Sequence, residues 1–443
     1  MSFDKNFFND LFRALRNKNY RLFFYGQSLS LVGTWIQQVA LSWLIYSITN
    51  SPFLLGFVMF AGQLPTFLIA PFAGVLADKY DKHKIIIGTQ VVSMLQAILL
   101  AIFVMTDHIN VSVLIILNIL LGIANSFDIP TRQSFVIQMI DNKEDLPNAI
   151  ALNSAIVNGS RLIGPAIAGI LVASLGEGIC FLINAISFVF VIISLLLMKI
   201  EKEEKKEKAG DEKVSIIKQL KEGFQYSFGF LPIRSVILLL AAVSLFGNPY
   251  LVLLPVFARD ILSGNAATLG YLNSAVGIGA LSGALYLASR KSTLGLGKII
   301  ATTTLIFAFT LISFSFSKTL TLSVIILLFC GFGMMMQTSG SNTILQTLSD
   351  DDMRGRVMSF YTVAFRGMAP FGSLWAGTFA DNFGAPVTVL ISGAVCLAAG
   401  ILFFKNLKII RTAAKPVYQE KGLLPEAVKG VQIASNLSLP PED

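Results

Sequence analysis

Two arginines stand deep inside long apolar segments, where a chain rarely carries charge. Arg161 and Arg366 each lie about twelve residues inside such a segment, a depth of about 18 Å on a helix that rises about 1.5 Å per residue. A guanidinium at that depth is costly unless it faces water or a partner, so it is a functional residue by default. In a central water-filled cavity, it would bind a carboxylate, phosphate or catecholate through two parallel hydrogen bonds. The alternative is structural: each arginine would bond backbone carbonyls freed by Pro165 or Pro370.

Asp128 and Arg132 form a second pair of chemically active side chains, in the stretch FDIPTRQ. Their spacing of four residues puts both on one face of a helix, with Pro130 between them, and predicts an ion pair near a gate. Asp128 is also the acid that lies well within an apolar segment, which makes it the candidate proton carrier. Pairing with Arg132 or with Lys82 is its alternative role.

The composition around these residues is that of a membrane protein. Of 443 residues, 54% are hydrophobic and 14% are charged, whereas soluble domains carry about 25% charge. Apolar windows of about 20 residues, the length that crosses the hydrocarbon core, recur along almost the whole chain. We therefore predict an all-α polytopic membrane protein of about twelve transmembrane helices. Clear examples of the windows are Leu54–Ala77, Ile85–Met105, Val111–Ile129, Ile179–Met198, Val236–Val256, Ile299–Phe316 and Leu320–Met336.

Lysine and arginine are distributed unevenly between the predicted loops. The turns at Thr49–Pro52, Thr106–Asn110, Gly176–Gly178 and Asp381–Pro386 contain neither, and Lys318 is the exception on that side. Because basic loops stay in the cytoplasm, the asymmetry predicts that both termini are cytoplasmic. The same placement accounts for the net charge of +8 without a nucleic-acid partner.

A highly charged stretch, Lys199–Lys213, divides the chain near its middle. It is typical of a solvated linker or surface helix. On each side of it a glutamine, an acidic loop and a span with Arg-x-x-x-Pro follow in the same order, which indicates two related halves. The predicted segments are an amphipathic interfacial segment (1–19), a six-helix bundle (20–198), a cytoplasmic linker (199–232), a second six-helix bundle (233–405) and a cytoplasmic tail (406–443).

The loop GVLADKYDKHK resembles the signature loop between the second and third helices of the major facilitator superfamily, G-x-L-A-D-R/K-x-G-R/K-R/K. Asp81 replaces the usual glycine, and the matching positions are Gly74, Leu76, Ala77, Asp78, Lys79, Lys82, His83 and Lys84. The segments LFRALRNKNYRLFFYGQSLSLVGTWIQQVALSWLIY, FDIPTRQSF, LPNAIALNSAIVNGSRLIGPAIAG and RGRVMSFY are similar to the branch containing the enterobactin exporter and macrolide-efflux-type permeases. The resemblance covers Leu11 to about Lys405 and implies two pseudo-symmetric six-helix bundles.

The resemblance also implies a gating latch in this loop. In the superfamily the loop aspartate faces the N-terminus of helix eleven in the outward-facing state, where free N–H groups favour an anion. Anchoring of a cytoplasmic loop is the alternative, but anchoring needs no acid. The implied latch residues are Gly74, Asp78, Lys82, Asp128, Arg132, Arg354 and Arg356.

Two further sets of residues are expected to shape a transport path. The stretch GPAIAG resembles part of an exporter-associated signature of helix five, in which small residues allow close helix approach. The predicted packing residues are Gly159, Gly164, Pro165 and Gly169. The predicted cavity residues, for which helix–helix hydrogen bonding is the alternative role, are Arg161, Arg366, Trp35, Gln38, Asn158, Asn248 and Gln337.

Other chemistries lack the residues they need. The two histidines, His83 and His108, both lie at loops, so no metal site is predicted. The three cysteines fall inside apolar runs without disulfide or zinc spacing. The sequence contains neither a nucleophile–base set nor a phosphate-binding Walker loop, which argues against an enzyme, an ATP-driven pump and a bound cofactor.

Together with the resemblance, these features favour a monomeric secondary transporter of the bacterial inner membrane that exports a small amphiphilic, anionic molecule, such as a siderophore or a drug. It would work by alternating access of two halves around a midplane site. Its partners would be the substrate, the lipid bilayer and protons, and the resemblance implies proton antiport. The open alternatives are a lipid or lysolipid flippase or an uptake symporter of the same fold. A non-transporting membrane sensor or scaffold, the rival from another class, would not need the latch or the cavity charges.

Overall fold

The chain folds into helices joined by short turns. A computed structural model describes residues 12–200, 216–290 and 292–422, and every regular element in that part of the chain is helical. The first half contains α1 (Lys18–Thr49), α2 (Pro52–Lys79), α3 (Lys82–Met105), α4 (Val111–Phe135), α5 (Leu146–Leu175) and α6 (Glu177–Leu196). The linker helix α7 (Ile216–Gly229) follows. The second half contains α8 (Leu231–Ile261), α9 (Ala266–Ala288), α10 (Leu296–Ser315), α11 (Leu320–Leu348), α12 (354–383) and α13 (Ala385–Lys405), and α14 (Leu407–Glu420) comes last.

Eleven of the described helices are long and apolar enough to cross a membrane. α12 is the twelfth in the arrangement, although it begins with the polar sequence RGRVMSFYT. Serine and threonine are tolerated in these apolar helices because their hydroxyls donate to carbonyls of the preceding turn. Ser28, for example, donates to the carbonyl of Phe24 at 2.6 Å. The predicted all-helical fold of about twelve spans is confirmed.

The two halves repeat a tight turn at equivalent positions. Gly176 alone separates α5 from α6, and Gly384 alone separates α12 from α13. Their φ angles are 81° and 83°. Glycine adopts this region of φ without the steric cost that a Cβ would bring, so each residue allows two spans to follow one another without a longer loop.

Each half is a bundle, and the most extensive contacts between the halves are made by two helix pairs. In the first half α1 packs on α5 and α6, and α4 packs on α2 and α3; in the second half α9 and α10 pack on α11, and α10 also packs on α13. Between the halves, α2 packs on α12 and α5 packs on α9. We call the end of the bundle where α1 begins and α13 ends the terminal face, and the other end the opposite face.

The start of the chain differs from the predicted interfacial helix of residues 1–19. Residues 1–11 lie outside the described part. Arg13–Arg16 form a short 3₁₀ helix, and α1 begins at Lys18, inside the predicted segment. The reason is tertiary packing: Arg13 pairs with Asp145 at 2.6 Å, and the amide of Ala14 donates to the start of α5. These contacts replace a membrane-surface helix along the part that the structure describes.

The linker ends earlier than the predicted boundary at residue 232. Residues 201–215 lie outside the described part, and α7 occupies Ile216–Gly229. α8 begins at Leu231, with Pro232 in its first turn. Proline is favoured in that position because its fixed φ suits a helix and its missing N–H would have no partner there. The second bundle therefore starts two residues before the predicted 233.

Candidate substrate cavity

A cavity of about 520 Å³ lies between the two halves. Residues of α1 to α6 form one side, and residues of α8, α9 and α12 form the other. Its size is within the range of small-molecule binding sites. The polar and charged side chains in the wall include Gln27, Thr34, Gln38, Gln63, Gln90, Asn118, Asn125, Asp128, Arg132, Arg161, Asn184, Ser244, Asn248 and Asn273.

Arg161 lies at the middle of α5 and reaches this cavity. Its guanidinium carbon is 5.8 Å from the ring centroid of Trp35 on α1, a cation–π contact. It has no hydrogen-bond or ion-pair partner among the described residues. Gly164 makes the contact possible, because a Cβ at Gly164 would lie only 2.4 Å from the Cβ of Trp35. The cavity thus holds a positive charge whose hydrogen-bonding donors are free for a ligand.

The second half contributes polar atoms without partners to the opposite wall. The amide oxygen of Asn248 and the hydroxyl of Ser244 are buried and have no hydrogen-bond partner in the described part of the chain. Both lie at the π-helical turn Val243–Gly247, which interrupts α8 at about its midpoint. Such turns often occur at functional sites. Because a buried polar group without a partner is costly, these atoms suit a ligand that supplies donors or acceptors.

Asp128 belongs to a buried polar cluster at the cavity wall nearer the terminal face. Its carboxylate pairs with the guanidinium of Arg132 on the next turn of α4. The other carboxylate oxygen accepts hydrogen bonds from Thr89 at 3.0 Å and from the side-chain amide of Gln90 at 2.8 Å, both on α3. The cluster joins α3 to α4 while one edge of it faces the cavity.

The two halves are tied together at the opposite face by a cluster that we call the outer lock. The hydroxyl of Tyr46, near the end of α1, donates to the carboxylate of Asp260 near the end of α8. Arg259 lies 5.9 Å from the Tyr46 ring centroid, and its guanidinium donates to the carbonyls of Tyr46 and Ser47 at 3.4 Å. Ser42, which lines the cavity, is one turn before Tyr46. The lock therefore joins the two halves one turn beyond this end of the cavity.

A second link between the halves lies beside the outer lock. Asp381 of α12 accepts a hydrogen bond from the hydroxyl of Ser51 at 2.9 Å and from the backbone amide of Phe53 at 3.3 Å. A residue of the second half thus caps the first turn of α2 in the first half. Close to it, a Cβ at Gly377 would lie 2.7 Å from the carbonyl of Pro52, so the α2–α12 contact leaves no room for a side chain there.

The predicted packing residues of α5 differ from one another. Gly169 faces Gly270 of α9, where an added Cβ would come 2.7 Å from the Gly270 Cα, so this pair brings the two halves together. Gly164 lets α1 approach, as described above, and Pro165 lines the cavity. A Cβ at Gly159 would have no described atom of another helix within 4 Å. In this structure Gly159 therefore brings no described helix close to α5, and its packing role stays a prediction.

At the terminal face, two of the three arginines of the predicted latch bind carboxylates of the second half and the linker helix. Arg356 lies 2.7 Å from the carboxylate of Glu222 on α7. Arg354 pairs with Asp351 in the turn before α12. α7 is held to the same region by Tyr226, whose hydroxyl donates to Asp350 at 2.9 Å. In this structure Arg356 therefore holds the linker helix, while Arg354 pairs within the second half.

The first-half residues of the latch lie around the turn between α2 and α3. Asp81 caps α3 by accepting a hydrogen bond from the amide of His83 at 3.0 Å. Lys82 is the first residue of α3. The side chain of Asp78 lies outside the part of the chain that the structure describes, so the roles of Gly74 and Asp78 in a latch stay predictions.

The cavity lining contains Arg161, Trp35, Gln38 and Asn248, but three other predicted cavity residues lie outside it. Asn158 donates to the backbone of its own helix at 2.9 Å, and Gln337 is fully buried in α11. Arg366 is exposed and precedes the lining residue Ala369 by one turn. It lies in the π-helical turn Val363–Gly367, whose extra residue changes the direction of its side chain relative to a regular helix.

Sequence reasoning missed the outer lock. Its signal was present, because Arg259 and Asp260 are adjacent charged residues near the end of an apolar span, on the face whose other turns hold almost no lysine or arginine. Tyr46 carried no such signal. A tyrosine near the end of a span is also typical of the membrane–water interface, and only the packing of α1 on α8 shows its partner.

Comparisons with known proteins match the chain over nearly its whole length. The family model for transmembrane secretion effectors matches residues 10–429. The staphyloferrin A transporter of Staphylococcus aureus is 28% identical over 88% of this chain and 96% of that protein, and the multidrug efflux pump Tap of Mycolicibacterium fortuitum is 26% identical over 87% and 95%. A solved bacterial homolog of the human lysosomal transporter Spinster has the same fold, with a TM-score of 0.69 at 12% identity over 89% of this chain and 97% of that one. The chain belongs to the transmembrane secretion effector family, a group of multi-pass membrane transporters within the major facilitator superfamily.

Proposed function

We propose that this protein exports a small amphiphilic anion, of siderophore or drug type, across the bacterial inner membrane. The observation that carries the proposal is Arg161, a cation at the middle of a span that lines the cavity between the halves and has no partner among the described residues. An arginine so placed suits carboxylate or catecholate groups, because its planar fork binds two oxygens at once. The names of two relatives, a staphyloferrin A transporter and a multidrug efflux pump, support a substrate of this class.

The proposal includes alternating access with the terminal face in the cytoplasm. Two observations support this: the outer lock joins the halves at the opposite face, and the cavity wall runs toward the terminal face as far as Arg132. In a cytoplasmic orientation, such an arrangement would load substrate from inside the cell. The excess of basic loops at the terminal face supports the orientation, and proton exchange through Asp128 and a monomeric unit are parts of the same proposal.

Transport direction is tested with membrane vesicles. Inside-out vesicles that contain the protein should accumulate a carboxylate or catecholate siderophore when a proton gradient is imposed, and vesicles carrying the Arg161→Ala variant at equal expression should not. Accumulation in right-side-out vesicles alone would indicate an uptake symporter and contradict export. Movement of labelled lysolipid in place of the siderophore would indicate a flippase, and no movement of any solute would favour a sensor or scaffold.

The outer lock gives a prediction for the conformational equilibrium. Tyr46→Phe removes the hydroxyl that donates to Asp260 and keeps the ring, so it should favour opening at the opposite face by about ten- to a hundredfold, as expected for a hydrogen bond to a charged group. Distances between spin labels at His108 and Lys318, one in each half, report the opening in a background without the three native cysteines.

Ser47→Ala is the matched control for this prediction. Among the described residues its hydroxyl bonds only to the carbonyl of Leu44 on its own helix, at 2.9 Å, while the carbonyl that Arg259 binds is retained. The control should keep the wild-type distances. If Tyr46→Phe also keeps them, the Tyr46–Asp260 contact does not hold the halves together.

A further inference from the structure

A second pocket lies far from the cavity, beneath the last helix at the terminal face. Its volume is about 490 Å³. Its walls come from the ends of spans: the start of α8, the turn between α9 and α10, and the last turns of α11 and α13. α14 forms its roof through Leu407, Ile410 and Ala414, which are buried. The pocket therefore lies where the apolar spans end, at the level of a membrane boundary.

α14 is held over this pocket at both ends. At its start only Asn406 separates it from α13. Just after its end, the ammonium of Lys421 donates to the carbonyls of Thr347 at 2.9 Å and Ser349 at 2.7 Å, at the C-terminus of α11. A cation is favoured there by the free carbonyls of the helix end. The middle of α14 thus spans a space that its own side chains leave unfilled.

The chemistry of the pocket is apolar inside and basic at its rim. Val236, Ile344 and Phe403 are among the apolar residues of the wall. Arg411 and Lys415 are the charged residues of the described lining, and both are exposed. The lining contains no acidic residue within the described part of the chain. An occupant with an acyl chain and a negative headgroup would match both features.

The surroundings place this pocket on the lipid-facing side. Leu402 at the end of α13 and Ile409 on α14 expose 63% and 59% of their surface, and Phe404 exposes 45%. Large apolar side chains with such exposure at the edge of a membrane protein face lipid chains. A lipid from the adjoining leaflet would reach the pocket without crossing a polar surface.

We propose that this pocket binds an anionic phospholipid, with an acyl chain beneath α14 and the phosphate held by Arg411 and Lys415. A guanidinium and an ammonium at the rim suit a phosphate, which accepts hydrogen bonds from both. The site is separate from the substrate cavity, and the proposal does not depend on what the protein transports. The lipid would fix α14 against the second half and so brace the ends of α8 and α11.

The test is a titration of the full-length protein in detergent with phosphatidylglycerol or phosphatidylcholine, followed by native mass spectrometry. Wild type should bind phosphatidylglycerol at least tenfold more tightly than phosphatidylcholine. Arg411→Gln with Lys415→Gln should weaken phosphatidylglycerol by about ten- to thirtyfold, the effect of two basic residues near an anionic lipid surface. Both side chains are exposed, so their replacement should leave the fold intact.

The matched control removes the same charge beside the pocket. Lys405→Gln with Lys408→Gln changes two exposed lysines that do not line it, and this variant should bind as wild type does. Equal losses in the two double variants, or equal affinity of wild type for the two lipids, would overturn the proposal. It would also be overturned if phosphatidylglycerol binds only after residues 423–443 are removed, because those residues would then be the natural occupant.

Discussion

Replacing Arg161 by alanine is expected to weaken the binding of an anionic substrate by about ten- to a hundredfold and to change the binding of a neutral one far less. A hydrogen bond to a charged group contributes about 1.5–3 kcal/mol, and the Arg161 guanidinium has no hydrogen-bond or ion-pair partner among the described residues. Arg161→Lys should restore only part of the affinity, since lysine keeps the charge but loses the planar fork that binds two oxygens at once. Binding of a carboxylate siderophore and of a neutral macrolide to purified protein measures both effects.

Arg366 provides the matched comparison for this prediction. It is the same residue type at an equivalent position of the second half, but its side chain does not line the cavity in this structure. Arg366→Ala should therefore weaken the anionic substrate much less than Arg161→Ala. If both variants lose anionic and neutral substrates equally, or if Arg161→Ala fails to fold, the arginine braces the helix and the anionic-substrate proposal fails.

The sequence predicted the part of the fold that depends on length and composition. An apolar run of about 20 residues forms a spanning helix whatever it packs against, so the segments around Val111 and Ile179 could be placed in advance. The predicted depth of Arg161 also agrees with its place at the middle of α5, because a regular helix converts residue number into distance.

What the sequence could not predict depends on the direction of side chains and on packing between distant segments. Arg366 and Asn248 lie in or beside π-helical turns, which shift the faces of α12 and α8 and leave no clear mark in an apolar sequence. The short 3₁₀ helix at Arg13–Arg16 forms because Asp145 and Asn148, more than a hundred residues away, bind it. The spacing of apolar residues along the sequence carries no information about such distant partners.

The Asp128–Arg132 pair has two possible roles, a structural one and proton transfer, and a single and a double variant can distinguish them. Asp128→Asn alone leaves Arg132 partly buried without its partner, so the free energy of unfolding should fall by about 3–5 kcal/mol. Adding Arg132→Gln removes the unpaired charge and should recover much of that loss, since the amide of residue 128 still offers an oxygen to Gln90. Unfolding of the purified protein in a titration with sodium dodecyl sulfate measures the stability.

Transport by the same double variant shows whether Asp128 carries a proton or only stabilises the packing of α3 on α4. A carrier must take up and release a proton, which an amide cannot do, so the stable double variant should still exchange substrate but no longer respond to a proton gradient. Asp145→Asn is the matched control, because it removes a carboxylate that is also paired with an arginine but lies at the terminal face, and it should keep the response. If the double variant of Asp128 and Arg132 accumulates substrate against a gradient as wild type does, Asp128 only joins α3 to α4, and the coupling proton moves elsewhere.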